Sequence, residues 1–168
     1  LSANRSLYDR RSQSVLPVRI KISVSLVKKC LETLRSRGNI ITFPPASSHD
    51  LGHLNKFFQT SIGSSIPDSY YEFLSTTDGL IYNGMEFFGA APHERLEKRY
   101  IFPDVESVNI RFMKYNFFAE KIIIGQLSEG LIYYDHKSGC YAISDRINLR
   151  SHTELNTFSE LLKTLFSL

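Results

Sequence analysis

Apolar side chains recur at helical spacing near both ends of this chain and bunch into short β-branched runs between. Val27, Cys30, Leu31 and Leu34 stand at i, i+3, i+4 and i+7, with Lys28, Lys29, Glu32 and Arg35 on other faces. That pattern predicts an amphipathic helix over residues 18–37, stopped by Gly38-Asn39. Phe43-Pro44-Pro45 then forbids helix and favours an extended lead-in. Ser47 is placed to cap a second helix, with Asp50 three residues on, a capping box with a shorter acid. Its apolar stripe is Leu51, Leu54, Phe57 and Phe58. Ile66-Pro67-Asp68 opens a third helix, because proline tolerates the first turn, where its missing N–H has no partner anyway. Tyr70, Tyr71, Phe73 and Leu74 give it an apolar face, and Thr77-Asp78-Gly79 ends it.

Asn83-Gly84 sits between apolar runs and predicts a hairpin, since both turn residues need positive φ. Residues 91–102 are mixed and charged, with Glu94, Arg95, Glu97, Lys98 and Arg99, and read as loop or irregular structure. A helix is predicted over 104–116, capped by Asp104, with Val108, Phe112 and Tyr115 on one face. Residues 121–125 and 131–135 read as strands, 136–139 as a turn, and 140–143 as a returning strand. Together they predict an antiparallel meander of about three strands. Thr157-x-x-Glu160 is a capping box ahead of Leu161, Leu162, Leu165 and Phe166, with Phe158 on the same face. This order predicts an α+β fold: a twisted, mainly antiparallel sheet, hairpin plus meander, packed by helices.

Composition narrows the picture. With 168 residues, 42% of them hydrophobic, the chain can bury a sizeable core in one domain. Residues 1–17 read as a polar leader of disorder-prone composition, and 18–168 as the single domain. The net charge of +3 belongs to the first 21 residues, where Arg5, Arg10, Arg11, Arg19 and Lys21 face only Asp9. The body is near neutral, which argues against a nucleic-acid-binding face. The 12 Phe and 9 Tyr come without Trp, and surface tyrosines suit a protein interface. Two cysteines, Cys30 and Cys140, make no disulfide framework and read as core thiols of a reducing compartment. No apolar run approaches the roughly 18–20 residues of a membrane span, and no secretory pattern opens the chain. A soluble cytoplasmic protein with no membrane partner is expected.

Familiar chemistry is thin. His49 and His53 have the four-residue spacing of a zinc pair, but Asp50-Leu51-Gly52 between them lacks the glutamate base. They read as solvated histidines. Ser25-x-x-Lys28 matches a serine-acylation motif by letter, without its companion motifs. No phosphate-binding loop, dinucleotide fingerprint or nucleophile elbow is present. No catalytic residue, metal or cofactor is expected.

Several blocks in order resemble the SUKH superfamily, the Smi/Knr cell-wall assembly regulator family. Ile66-Pro67-Asp68-x-Tyr70-x-x-Phe73-Leu74 resembles its "LPxxYxxFL" helix. Thr77-Asp78-Gly79-Leu80 follows, and Asn83-Gly84-Met85-Glu86-Phe87-Phe88-Gly89 is similar to its "NGLxIYG" hairpin. Ile123-Ile124-Gly125, Tyr133-Tyr134-Asp135, Gly139-x-Tyr141 and Phe158-Ser159-Glu160-Leu161-Leu162 complete the match. Pro44-Pro45-Ala46-Ser47 makes the YrhA-like branch the nearest. The resemblance spans residues 20–168, and residues 89–102 carry no pattern it explains. It implies an α+β fold and a non-enzymatic immunity protein that binds and neutralises a cognate toxin. The toxin would be a nuclease or deaminase domain of a polymorphic or contact-dependent system. The alternative is a regulatory interaction module of the same fold. Acidic and aromatic groups of the hairpin and meander are the candidate contact residues: Asp78, Tyr82, Asn83, Glu86, Tyr134 and Asp135.

Overall fold

The computed structural model describes residues 19–95, 99–147 and 150–168, so the leader expected at 1–17 lies outside the described residues. Its helices are α1 (Arg19–Arg37), α2 (Ser48–Ile62), α3 (Asp68–Thr76), α4 (Val105–Phe112) and α5 (Phe158–Phe166). Strands β1 (Ile40–Thr42), β2 (Leu80–Tyr82), β3 (Met85–Phe87), β6 (Lys121–Gln126), β7 (Gly130–Asp135), β8 (Cys140–Asp145) and β9 (Ser151–Leu155) form one sheet. Its order is β1-β2-β3-β6-β7-β8-β9, antiparallel throughout. Strands β4 (His93–Arg95) and β5 (Tyr100–Phe102) form a separate hairpin. The class is α+β, with a mainly antiparallel sheet packed by helices.

Side chains alternate across a sheet, so each face has its own partners. Leu80, Phe87, Gly125 and Ile132 pair in succession across β2, β3, β6 and β7 and share one face. The helices α3 and α5 cover that face, and α1 packs against both. The Phe158 ring lies 5.5 Å from Phe87 and 5.1 Å from Phe73. The opposite face carries Ile123 and Tyr133 and receives α2, α4 and a short 3-10 turn at residues 116–118. Helices therefore flank the sheet on both sides.

The caps form where the sequence places them. Ser47 accepts from the Asp50 amide at the start of α2. Asp104 accepts from Ser107 at the start of α4, and Thr157 and Glu160 make a reciprocal capping box at α5. Asn83 (φ 47°) and Gly84 (φ 78°) are both left-handed, as a two-residue hairpin demands. A Cβ at Gly125 would collide with the Glu86 carbonyl, so only glycine lets β3 and β6 approach there.

Asn109 ties α4 to the sheet. Its amide nitrogen donates to Val105 O and Ile123 O, each at 2.7 Å, and its oxygen accepts from the Ile123 amide at 2.8 Å. The side chain is buried, and replacing it leaves the Ile123 groups without partners. Asn109→Ala is expected to lose about 2–3 kcal/mol of stability, read from urea denaturation, with the β6 amide at 123 exchanging faster.

The structure corrects several details. Residues 91–102, expected as loop, contain the β4–β5 hairpin. The helix expected over 104–116 ends at Phe112, and Tyr115 lies beyond it. Strands β1 and β9 add the two edges that the pattern did not indicate, and β8 runs two residues past the expected end. The meander therefore has four strands.

Candidate partner-binding surface

The six candidate residues do not share one surface. Asp78, in the bend after α3, is 1% exposed. Its carboxylate accepts from the Ala90 amide at 2.5 Å and the Ala91 amide at 3.2 Å, and lies 2.9 Å from His93 Nε2. Burial pushes its pKa up, and the bonds from Ala90, His93 and Ala91 pull the other way. The His93 ring stacks on Phe43 at 4.5 Å, and Phe43 stacks on Phe102 at 4.7 Å. Asp78 is thus the anchor of the segment that leads from β3 into β4. A buried carboxylate so engaged offers no surface to a partner.

Tyr82 faces the side of the sheet that α5 covers, with its ring edge-on to Phe166 at 5.4 Å. Asn83 is exposed but occupies the left-handed turn position. Tyr134 is half-buried against Tyr141, ring centres 5.2 Å apart. Partial burial, then the neighbouring Cys140 and Asp135, push its phenol pKa up. Asp135 accepts from the Lys137 amide at 2.9 Å and pairs with Lys121 at 3.4 Å, so it builds the β7–β8 turn. Tyr134 pairs with Ile122 and Glu86 with Gln126, which separates them by roughly 13 Å along β6 and places them on opposite faces.

Glu86 is the candidate in a partly open polar setting. Ile81, Glu86, Gln126, Leu131 and Ser144 form a row across five strands on one face. Within it Gln126 Nε2 donates to Glu86 Oε2 at 2.6 Å, and Arg146 donates to Gln126 Oε1 at 2.8 Å. Tyr100 of β5 lies near enough to Glu86 to feel its charge. Partial burial and then the Glu86 charge push its phenol pKa up, while Arg95 lowers it. The β4–β5 hairpin therefore brings Tyr100, paired across the hairpin with Arg95, near Glu86, a meeting that no sequence spacing announces.

Exposed apolar side chains give the second signal. Among the described residues, large exposed hydrophobics are Tyr71, Tyr100, Ile101, Ile110, Met113, Tyr115 and Ile147. Five of the seven fall within residues 100–115. Ile101 is 62% exposed, Ile110 58% and Met113 53%. Beside Met113 a cleft of about 540 Å³ opens between α2, α4 and β6, floored by Phe57, Phe118 and Ile122. These residues escaped the sequence reading, but a signal existed. Val105, Val108 and Asn109 make the buried stripe of α4, Ile110 lies off it, and Met113 follows at the end of the helix.

His49 is exposed beside Asp50, and His53 reaches Glu106 at 3.1 Å, so the two histidines have separate partners. Among the described residues no group of three or more His, Cys, Asp or Glu side chains is arranged to hold a metal ion. Cys30 is buried in the core, and burial pushes its thiol pKa up. Cys140 is half-buried, 3.6 Å from Asn156 Oδ1. No helix among the described residues is long and apolar enough to cross a membrane. Comparison with protein-family models and with curated proteins finds no match to this chain.

Proposed function

We propose that this chain is a cytoplasmic, non-catalytic immunity protein that binds a cognate bacterial toxin and blocks it. A nuclease or deaminase domain of a polymorphic or contact-dependent system is the class of target. The observation that carries the reading is the concentration of exposed Tyr100, Ile101, Ile110, Met113 and Tyr115 on β5, α4 and the turn after it. Isolated exposed apolar residues are ordinary, whereas exposed apolar residues gathered at a cleft suit protein interaction, as Met113 and Tyr115 are at the cleft floored by Phe57, Phe118 and Ile122. The SUKH-like blocks of the sequence point to the same role. Of the six sequence candidates, Glu86 joins this surface through Tyr100, and the others serve mainly in the fold.

Co-expression with the toxin encoded beside it tests the reading. Cells carrying both are expected to grow, and the two proteins to co-purify. The double variant Tyr100→Ala/Ile101→Ser, at exposed positions, is expected to fold normally and to weaken binding about tenfold or more. Cell death with intact chain present, and no complex recovered, would count against immunity.

A further inference from the structure

We infer that α1 sits on α3 as a proton-sensitive latch: ionised Glu72 loosens the contact, and protonated Glu72 tightens it. Tyr70, Phe73 and Leu74 make the buried face of α3. At about 100° per residue, Glu72 stands roughly opposite that face, where a helix on the sheet ordinarily meets water. Both of its carboxylate oxygens are nevertheless sealed from solvent, with no hydrogen-bond partner among the described residues. The helices α1 and α5 pack on α3. Of these, α5 reaches the buried face, where Phe158 meets Tyr70 and Phe73. The cover over Glu72 is therefore α1, and Lys28 of α1 is the charge that acts on it.

A carboxylate so placed is costly when charged, because nothing replaces the water it has lost. Burial pushes its pKa up, and Lys28 pulls it partly back. Lys28 is exposed, so its ammonium stays hydrated and neutralises little. The other charged groups on these helices are Asp68 on α3, Lys29, Glu32, Arg35 and Arg37 along residues 26–37 of α1, and Glu160 and Lys163 on α5, all exposed. Arg37 is committed to the Phe166 and Ser167 carbonyls, and Glu160 to its capping box. Lifting α1 rehydrates Glu72, so the lifted state holds this proton less tightly than the seated one. In acid both states are protonated and Glu72 has no effect on opening. As pH rises from the pKa of the hydrated carboxyl to the raised one, the seated state is penalised and opening increases; above that window the increase is complete. A reporter is built in. Cys30 is 5% exposed on the same buried stripe of α1 as Val27, Leu31 and Leu34, and lifting the helix uncovers it.

The test is the rate at which dithiodipyridine labels Cys30 in the full chain carrying Cys140→Ser, with Glu72 or Glu72→Gln, across a pH series. Dividing the two rates at each pH cancels the titration of the thiol itself. The ratio is expected to be near one in acid, to climb several-fold through the window and then to level. Lys28→Met is expected to speed labelling further at neutral pH where Glu72 is present and to change nothing in the Glu72→Gln chain. The opening constant at Cys30 is expected to exceed that of the β7 amides by hydrogen exchange, which marks lifting of α1 rather than global unfolding. Circular dichroism confirms that each variant folds. Hydrogen exchange along α1 in the Glu72 chain, corrected for intrinsic chemistry, is expected to show the same rise with pH and needs no substitution at that site. A rate ratio flat with pH, an effect of Lys28→Met that persists in the Glu72→Gln chain, equal opening at Cys30 and β7, or exchange along α1 indifferent to pH would each overturn the inference.

Discussion

Replacing Asp78 by alanine is expected to lower the stability of the protein by about 2–4 kcal/mol and to release the β4–β5 hairpin from the sheet. The carboxylate holds the amides of Ala90 and Ala91 and faces His93 Nε2, so its loss leaves two backbone donors without an acceptor. The Phe43–His93 stack then loses the contact that orients the ring. Hydrogen exchange is expected to quicken at Ala90 and Ala91 and along β4. A companion variant, His93→Ala, is expected to cost less, because Asp78 keeps both amides. The pH dependence has a definite sign. Burial raises the native pKa of Asp78 above its unfolded value. As pH falls the native state therefore takes up this proton first, and the stability lost to ionisation is recovered between the native and unfolded values. The gap between wild type and Asp78→Ala is expected to widen as pH is lowered through that window, measured by urea denaturation at a series of pH values. A gap that narrows on acidification would contradict this account of the site.

The largest stability effect is expected at Phe158. Its ring, fully buried at the start of α5, touches Tyr70, Phe73, Phe87 and Tyr141 at centre distances of 5.1–5.5 Å. Those four residues come from α3, β3 and β8, so Phe158 joins the closing helix to the sheet face and to the helix beside it. Phe158→Ala removes the ring and leaves a cavity among rigid aromatic neighbours that collapse poorly. The expected cost is about 3–5 kcal/mol, a large fraction of the total stability of a domain this size. Phe158→Leu keeps most of the volume and is expected to lose less. Thermal or urea unfolding reads both, and a loss below about 1 kcal/mol for the alanine variant would mean that α5 is not part of the core.

Much of the frame was legible because its signals are local. Ser47, Asp104 and Thr157 cap helices by bonding residues three positions away, and Asn83-Gly84 turns the chain within two. The edges of the sheet were not legible for the opposite reason. The β1 strand is three residues long, and β9 reads Ser-His-Thr-Glu-Leu with a single apolar residue, so neither has enough alternation to reveal its pairing. The β4–β5 hairpin was hidden because its outward positions are Glu94 and Ile101, one charged and one apolar, and its inward anchors are distant in sequence. His93 finds Asp78 across 15 residues and Phe43 across 50.

The candidate contacts show the same division. Acidic and aromatic character alone selected Asp78 and Tyr82, yet such residues serve equally well inside a fold when backbone amides or other rings meet them. Glu86 was legible as an outward residue of β3, while Gln126 and Arg146 arrive through strand order and Tyr100 through the separate β4–β5 hairpin. Ile110 could have been noticed as an apolar residue off the buried stripe of its helix. That signal separates an interaction surface from a core better than residue type does.

The most direct measurement mixes purified chain with purified toxin domain and follows toxin activity as the chain is titrated in. Stoichiometric sequestration predicts that activity falls in proportion to added chain and is extinguished near equimolar amounts, with a single complex on size-exclusion chromatography. Undiminished toxin activity in a large excess of chain, with the two proteins eluting separately, would contradict the proposed function.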